Sequence, residues 1–263
     1  MLRPRITPCL LVHNGGLVKT VGFKDPKYVG DPINAVKIFN EKETDELIVL
    51  DIDATANNSE PNYKLIAHLA AECRMPLCYG GGVRTPEQAK KIIGLGVEKV
   101  SVSAAAIEDP QLISRIAKEI GSQSVVVVLD VKKRLFSKEY DVWTHNGTRN
   151  TKRSVLDAAT EAEALGAGEI VVNSIDNDGK MKGYDIELAN RLRQAVSLPI
   201  TVLGGAGSLD HIGELIATCG VVGASAGSLF VFKGTYRAVL INYPNAMQKE
   251  DLIRSALSQN RSA

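Results

Sequence analysis

Val125-Val126-Val127-Val128-Leu129-Asp130 is a run of five apolar residues, four of them β-branched, that ends in a carboxylate. An apolar run this short, without polar alternation, reads as a strand buried on both faces, as in a parallel sheet. A second run, Ile6-Thr7-Pro8-Cys9-Leu10-Leu11, resembles it but ends in leucine. If both are barrel strands, Leu11 and Asp130 sit at the same end of one cavity. Of the two, only Asp130 can move a proton.

Further short β-branched runs lie outward from this pair, separated by amphipathic stretches. Strands are expected at Ile6–Leu11, Leu47–Ile52, Leu77–Tyr79, Val100–Ser103, Ser124–Asp130, Ile170–Asn173, Ile200–Leu203 and Val221–Ala224. Helical patterns fall between them at Pro32–Lys42, Tyr63–Cys73, Thr85–Leu95, Pro110–Ile120, Arg153–Leu165, Ile186–Val196 and Leu209–Thr218. Eight β/α units of parallel type point to an α/β fold, a (β/α)8 TIM barrel with its working loops at the carboxyl ends of the strands. A doubly wound sheet is the alternative. The 263 residues, 44% of them hydrophobic, are expected to form one domain over residues 1–263.

The halves of the chain repeat at an offset of about 123 residues, Glu169 against Glu46. Glu46-Leu47-Ile48-Val49 matches Glu169-Ile170-Val171-Val172, and Ile52-Asp53 matches Ile175-Asp176. Gly81-Gly82 matches Gly204-Gly205, and Ser103-Ala104-Ala105 matches Ala226-Gly227-Ser228. A two-fold half-barrel repeat explains these matches, and a doubly wound sheet would not need it. Leu11 and Asp130 fall a few residues off the offset, so the loops after those strands must differ in length.

Each half carries a glycine loop. Gly80-Gly81-Gly82 follows strand three, and Gly204-Gly205-Ala206-Gly207 follows strand seven. One strand later in each half, small residues open a helix, at Ser103-Ala104-Ala105 and at Gly227-Ser228. Glycine allows backbone N–H groups close to an anion, and a helix N-terminus adds donors. The loops after strands seven and eight are the usual phosphate position in this fold. Two phosphate sites facing each other across one mouth are expected, with Gly81, Gly82 and Ser103 at the first and Gly204, Gly205, Ala206, Gly227 and Ser228 at the second. The bland alternative is that the glycines only make tight turns. Asp51, Asp176 and Asp178 lie near strand ends, where an aspartate either caps a helix or meets a ligand. Asp178, followed by Gly179 in a loop at the mouth, is the one expected to touch substrate.

A formal net charge of +1 argues against nucleic acid or a membrane surface as a general partner, although a local basic patch can still bind phosphate. Met1-Leu2-Arg3-Pro4 has no signal-peptide character, and no apolar run reaches the roughly 18 residues of a membrane span. Cys9, Cys73, Cys78 and Cys219 have no zinc spacing and suit a reduced, cytoplasmic protein. His13, His68, His145 and His211 are scattered and are expected to be solvated or on helix surfaces, so neither a metal nor a cofactor is expected. Cys9 shares the parity of Arg5 and Leu11 and is expected to be a packed thiol facing the cavity. The polar stretch from Lys132 to Thr151, with the single tryptophan Trp143, is too long for an ordinary βα turn. It is expected to form a small hairpin over the mouth, as a lid or as a static insertion.

Taken together, these elements resemble the cyclase subunit of imidazole glycerol phosphate synthase, the HisF family, over nearly the whole chain. The resemblance is carried by Pro8-Cys9-Leu10, Gly16-Leu17-Val18-Lys19, Gly30-Asp31-Pro32, Asp45-Glu46-Leu47 and Leu50-Asp51-Ile52. It continues in Tyr79-Gly80-Gly81-Gly82-Val83, Ser174-Ile175-Asp176-Asn177-Asp178-Gly179, Gly183-Tyr184-Asp185 and Gly204-Gly205-Ala206. It implies a HisH-like glutaminase partner at the barrel base, ammonia passing through the barrel, and a phosphorylated small molecule at the top. The family's reaction yields imidazole glycerol phosphate and an aminoimidazole carboxamide ribonucleotide in histidine biosynthesis. It implies two catalytic aspartates at the ends of strands one and five, of which this chain keeps Asp130 and has Leu11 at the other. It also implies a gate of two cations and two anions at the strand beginnings, matched here by Arg5, Glu46, Lys99 and Glu169. A salt-bridged plug that only closes the floor is the other reading of that ring.

Other departures from the family pattern cluster at the mouth, at Ser103-Ala104, Asn173 and Leu203, whereas Lys19, Asp51, Asp130 and Asp178 remain. The run from Pro8 to Thr20, with Leu11-Val12-His13-Asn14-Gly15 at its centre, resembles a divergent branch associated with sugar amidation in surface-glycan synthesis. That likeness implies a separate sugar amidotransferase as a further partner. Three readings follow: an ammonia-conducting synthase subunit of such a system, a cyclase in which Lys19 or Asp51 replaces the lost acid–base residue, and a non-catalytic scaffold or activator of a glutaminase.

Overall fold

The computed structural model describes residues 3–260. Twelve strands form its main sheet. They are β1 (Arg5–His13), β2 (Gly16–Val21), β3 (Lys24–Gly30), β4 (Leu47–Asp51), β5 (Leu77–Gly80), β6 (Lys99–Val102), β7 (Val125–Lys133), β8 (Tyr140–Thr144), β9 (Arg149–Ser154), β10 (Glu169–Ser174), β11 (Ile200–Leu203) and β12 (Gly223–Ala226). Eight of them pair in parallel and close on themselves in the order β1-β4-β5-β6-β7-β10-β11-β12, with β12 returning to β1. The (β/α)8 barrel is therefore the fold, and the doubly wound alternative is excluded by the closure.

The helices α1 (Pro32–Glu41), α2 (Ile52–Ala56), α3 (Tyr63–Glu72), α4 (Pro86–Gly94), α5 (Ala104–Glu108) and α6 (Gln111–Ile120) accompany the first half. Those of the second half are α7 (Val155–Ala164), α8 (Ile186–Ala195), α9 (Leu209–Cys219), α10 (Ser228–Val231) and α11 (Ala246–Asn260). Their starts are written in the sequence. Asp31 caps α1 through the Asn34 amide, and Thr85 and Gln88 form a reciprocal capping box on α4.

Alternation along the strands separates two cores. Ile6, Leu10 and Val12 face the helices, whereas Cys9, Ile48, Cys78, Val126, Val128, Val171 and Leu203 pack inside the barrel with Leu11 and Leu50 against them. Register confirms the opening match. Pro8 pairs with Ala226, the last residue of β12, and Val127 pairs with Val102, the last residue of β6. Leu11 and Asp130 therefore stand at the same height in the two halves. Leu11 pairs with Leu50, and Asp130 pairs with Asn173.

Several boundaries differ from the sequence reading. Strand eight is Gly223–Ala226 and not Val221–Ala224. The β-branched pair at 221–222 drew that reading, but the strand must run beside Thr201, whose hydroxyl would lie 1.9 Å from a Cβ at Gly223. Arg153 belongs to β9, so the helix after it starts at Val155. The repeat slips by one residue near its end, because Ser103 and Gly227 occupy the same N-terminal position of α5 and α10. An antiparallel pair, β2 and β3, extends β1 much as β8 and β9 extend β7. Only the second pair was expected. β3, with Lys24, Asp25, Pro26 and Lys27, is mostly exposed and lacks a strand-like composition.

Candidate active site at the barrel mouth

Both hairpins lean over the carboxyl ends of the barrel strands and divide the mouth into two adjoining cavities. The first, about 230 Å³, is lined by Leu11, Leu50 and Leu203, by Lys19, Asp130 and Asp178, and by the Gly204-Gly205-Ala206 and Gly227-Ser228 backbone. The second, about 200 Å³, is lined by Asp51, Gly81, Gly82, Arg84, Ser103 and His145. Asp130 and Asn146 border both. The residues expected at two sites thus converge on one mouth, with Asp130 between them.

Asp130 accepts a hydrogen bond from Asn173 Nδ2 at 3.0 Å. Burial dominates its chemistry and, with the Asp178 charge adding to it against the Asn173 bond, pushes its carboxyl up to about 7. A carboxylic acid with that affinity holds or releases a proton near neutrality, as general acid–base work requires. Its counterpart Leu11 packs beside Leu50 on the inner apolar cluster, so one half of the mouth floor is polar and the other is hydrocarbon.

Lys19, on β2, is buried and donates from Nζ to the Cys9 carbonyl. Burial lowers its affinity for a proton, against the opposing pull of Cys9 and Asp178. A Cβ at Gly227 would lie 2.3 Å from that Nζ, so glycine is required there for the lysine to reach the start of α10. Cys9 does face the cavity. Its thiol is raised to about 11 by burial, which marks a packed thiol and not a thiolate nucleophile.

The aspartates divide their work. Asp51 caps α2, accepting from the Asp53 and Ala54 amides at 3.0 and 3.2 Å, while burial raises its carboxyl. Asp176 accepts from the Lys133 amide at 2.9 Å and anchors the end of β7. Asp178 lines the first cavity with Gly179, and its carboxylate holds the other hairpin, accepting from Thr20 Oγ1 at 2.7 Å and the Phe23 amide at 3.2 Å. The glycine loops are turns and close approaches at once. Gly81 has φ +126° and Gly205 φ +108°, and a Cβ at Gly205 would lie 2.0 Å from the Gly183 carbonyl.

The hairpin after β7 is held firmly at its root. Buried Tyr140 donates to Asp185 at 2.8 Å, and Arg191 grips Glu139. At its tip, Asn146 donates to the Ile52 carbonyl at 2.9 Å, and Arg149 beside it pairs with Glu108 of α5 at 2.9 Å, both on the surface. The sequence reading missed His13 as a mouth residue. Its ring lines the first cavity and lies 2.6 Å from Asp53, although its shared parity with Leu11 was already visible. Among the described residues, no three His, Cys, Asp or Glu side chains converge as a metal set.

The opposite end of the barrel is closed by the expected four charges. Arg5 meets Glu46 at 2.5 Å and Glu169 at 2.7 Å, and Lys99 meets the same two carboxylates at 2.7 and 2.8 Å. Each ion therefore has two opposite neighbours in a closed, neutral ring. Thr201 donates a further bond to Glu169 at 2.6 Å. Burial works to raise the Glu169 carboxyl, but Arg5, Lys99 and these bonds hold it below the ordinary range. Glu46 is raised, by burial first and then by the charge of Glu169.

Comparison with known proteins agrees with this architecture. The histidine biosynthesis protein family matches residues 5–237. A Leptospira borgpetersenii protein provisionally named imidazole glycerol phosphate synthase subunit HisF is 58% identical over 96% of this chain and 99% of its own. A Pseudomonas aeruginosa protein provisionally named subunit hisF2 is 55% identical over 93% of this chain and 97% of its own. The imidazole glycerol phosphate synthase subunit HisF of Lactococcus lactis is 41% identical over 88% of this chain and 89% of its own. The chain belongs to the histidine biosynthesis protein family and, within it, to the HisF group of imidazole glycerol phosphate synthase subunits.

Proposed function

We propose that this HisF-type subunit receives ammonia from a HisH-like glutaminase at the barrel base and delivers it to a phosphorylated small molecule at the mouth, in a sugar-amidating system of surface-glycan synthesis. The observation that carries the reading is the contrast between the two ends. All four charges of the base ring are present and mutually paired, whereas Leu11 stands where a second acid–base group would be needed for cyclisation.

Between the ends, Cys9, Ile48, Cys78, Val126, Val128 and Val171 pack the barrel interior as an apolar cluster, with the buried hydroxyl residues Thr7 and Ser101 on the same inner faces. Such an interior suits neutral ammonia and disfavours ammonium. At the top, the backbone of Gly204-Gly205-Ala206 and Gly227-Ser228 with Lys19 supports one phosphate, and Gly81, Gly82 and Ser103 support a second. The higher identity to the provisionally named relatives than to the Lactococcus subunit agrees with a branch distinct from the cyclase. No cofactor enters this chemistry.

The test is co-purification with the products of neighbouring genes, followed by a glutaminase assay on the complex and a cyclase assay on this chain with ammonium salts. The expected result is a stimulated glutaminase and no cyclisation of the ribulosyl bis-phosphate. Cyclisation at rates comparable to a cyclase that has both aspartates would overturn the proposal in favour of histidine biosynthesis.

A further inference from the structure

Leu11 removes a proton-transfer group from the mouth, but the same inner face of β1 presents another one step on. Arg5, Thr7, Cys9, Leu11 and His13 alternate onto that face, and His13 borders the cavity that also holds Lys19 and Asp130. Both nitrogens of its ring are engaged. Nδ1 lies 2.6 Å from Asp53 Oδ1, and Nε2 lies 3.1 Å from the Asn14 side-chain nitrogen. A carboxylate cannot donate, so Nδ1 carries the hydrogen. The Asn14 amide donates to Nε2 of the neutral ring and, turned over, accepts from Nε2–H of the imidazolium. Either charge state has a full set of partners, as a group that cycles a proton requires.

The two-fold repeat separates this arrangement from mere scaffolding. Asp53 Oδ2 accepts from the Asn14 amide at 2.6 Å, and the matching Asp176 Oδ2 accepts from the Lys133 amide at 2.9 Å. One oxygen is enough to anchor the end of the strand in either half. In the second half the residue matching His13 is Lys132, which donates to the Gly147 carbonyl and lies over the Trp143 ring. In the first half the other carboxylate oxygen orients an imidazole toward the cavity.

We propose that His13, oriented by Asp53, is the proton-accepting group of the mouth when ammonia adds to a carbonyl carbon of a phosphorylated acceptor. The proposal rests on the ammonia-and-phosphate reading given above. In the step, a C–N bond forms and the carbonyl π pair moves to oxygen. Protonated Asp130 gives its proton to that oxygen, and His13 Nε2, freed as the Asn14 side chain turns away, takes one from nitrogen. The product is a neutral carbinolamine, with imidazolium at 13 and carboxylate at 130, so charge balances. The charged groups facing His13 are Asp53 on α2 and Asp51 at the end of β4, with Lys19, Asp130 and Asp178 in the cavity.

The experiment uses the full chain labelled uniformly with nitrogen-15, with ribulose 5-phosphate as probe and the Gly205 and Ser228 amides as independent reporters of occupancy. His13 is expected in the Nδ1–H tautomer, with its titration midpoint raised by about half a pH unit or more when the probe's phosphate fills the cavity. Reversible loss of water from the carbinolamine to the imine, and hydrolysis of that imine by solvent, exchange the carbonyl oxygen. This ammonium-dependent oxygen-18 exchange at the ketose carbonyl is expected to fall about a hundredfold in His13→Gln, with loss of the pH limb that follows the His13 midpoint. Asp53→Asn is expected to abolish the tautomer preference and move that limb. An Nε2–H tautomer, a His13 signal that ignores a probe seen at Gly205 and Ser228, or exchange unchanged in His13→Gln would each overturn the proposal alone. Silence at Gly205 and Ser228 with the probe at tens of millimolar would overturn the phosphate reading and the proposal with it.

Discussion

The two ends of this barrel hold ionisable groups in opposite ways. At the base, four charges neutralise one another in a closed ring, so each has an opposite charge on both sides. At the mouth, Asp130 has, among the described residues, no cation bonded to it and only the Asn173 amide as partner, and its proton affinity rises to about 7. A paired charge is a structural element. An unpaired one under burial is a titrating element. The same inner face of the strands supports both, because cations and anions alternate at the amino ends whereas Asp130 stands between Leu11, Leu50 and Leu203 at the carboxyl ends.

Breaking the base ring has the largest expected effect. Lys99→Met leaves Glu46 and Glu169 facing each other with Arg5 as their only cation in the ring. The loss should be about 3–5 kcal/mol of stability, the usual cost of orphaning a buried charge. A urea titration with an unchanged slope measures it. Lys99→Met with Glu46→Gln restores neutrality and should recover much of that loss. A loss below about 1 kcal/mol would mean that solvent reaches the ring and that it is no buried plug. If ammonia passes this ring, glutamine-driven output of the complex should also fall, while ammonium-driven output changes less.

Leu11→Asp puts the charge back on the apolar half of the mouth. It loses leucine packing and sets a carboxylate beside Leu50 and the Cys9–Leu203 cluster. The expected cost is about 2–3 kcal/mol at pH 8. Burial raises the folded-state affinity of the new carboxyl above its unfolded value. The charge-related part of the cost is therefore absent below pH 4 and grows as pH rises through the folded value. A cost that did not depend on pH would assign the whole effect to packing. Cyclase turnover gained by this one change would show that position 11 alone divides this chain from a cyclase.

These contrasts were unequally legible in the sequence. The eight strands and the half-barrel repeat could be read because apolar runs and glycine loops are local properties, whereas the base ring came only through the resemblance to the HisF family. The Leu11–Asp130 pairing was legible for the same reason, although its different offset needed strand register to be established. The β2–β3 pair was not, because Lys24-Asp25-Pro26-Lys27 makes a poor strand by composition and is held in place by the extended end of β1. His13–Asp53 was not, because it depends on the turn from β4 into α2, which bends Asp53 back across the end of β1. The C-terminal helix α11 was missed because only Lys249, Ile253 and Ala256 are buried, a narrow stripe that gives little apolar periodicity.

Asp130→Asn removes the titrating group and keeps an acceptor for Asn173. The native carboxyl binds its proton more tightly than the unfolded chain does, so the native state carries the extra proton between about pH 4 and about pH 7. Wild-type stability therefore falls as pH rises through that window, and the penalty is fully present above it. The variant should gain about 1–2 kcal/mol over wild type at pH 8, an amount discounted for partial exposure, and nothing from charge at pH 4. Thermal melts at both pH values measure the difference. An equal gain at both would mean that Asp130 is ionised in the native state throughout.

The smallest expected effect bears on the cover of the mouth. The hairpin after β7 is secured at its root by Tyr140 with Asp185 and by Arg191 with Glu139, whereas its tip reaches the other half of the barrel through two exposed contacts, Asn146 with the Ile52 carbonyl and Arg149 with Glu108. A static insertion needs only the root. A cover that opens needs a weak tip. Asn146→Ala removes one partly exposed hydrogen bond worth about 1 kcal/mol, so global stability should barely change. Amide exchange in β8 and β9 near the tip should quicken about fivefold, because the bond's loss appears in the local opening equilibrium and not in global unfolding. Exchange at the Tyr140 end should remain as in wild type, since the root contacts are intact. Equal acceleration along the whole hairpin would show that it opens as one rigid unit. No acceleration would make it a fixed wall of the cavity, and ligands would then have to enter between Asn146 and the β2–β3 pair without any movement of the tip.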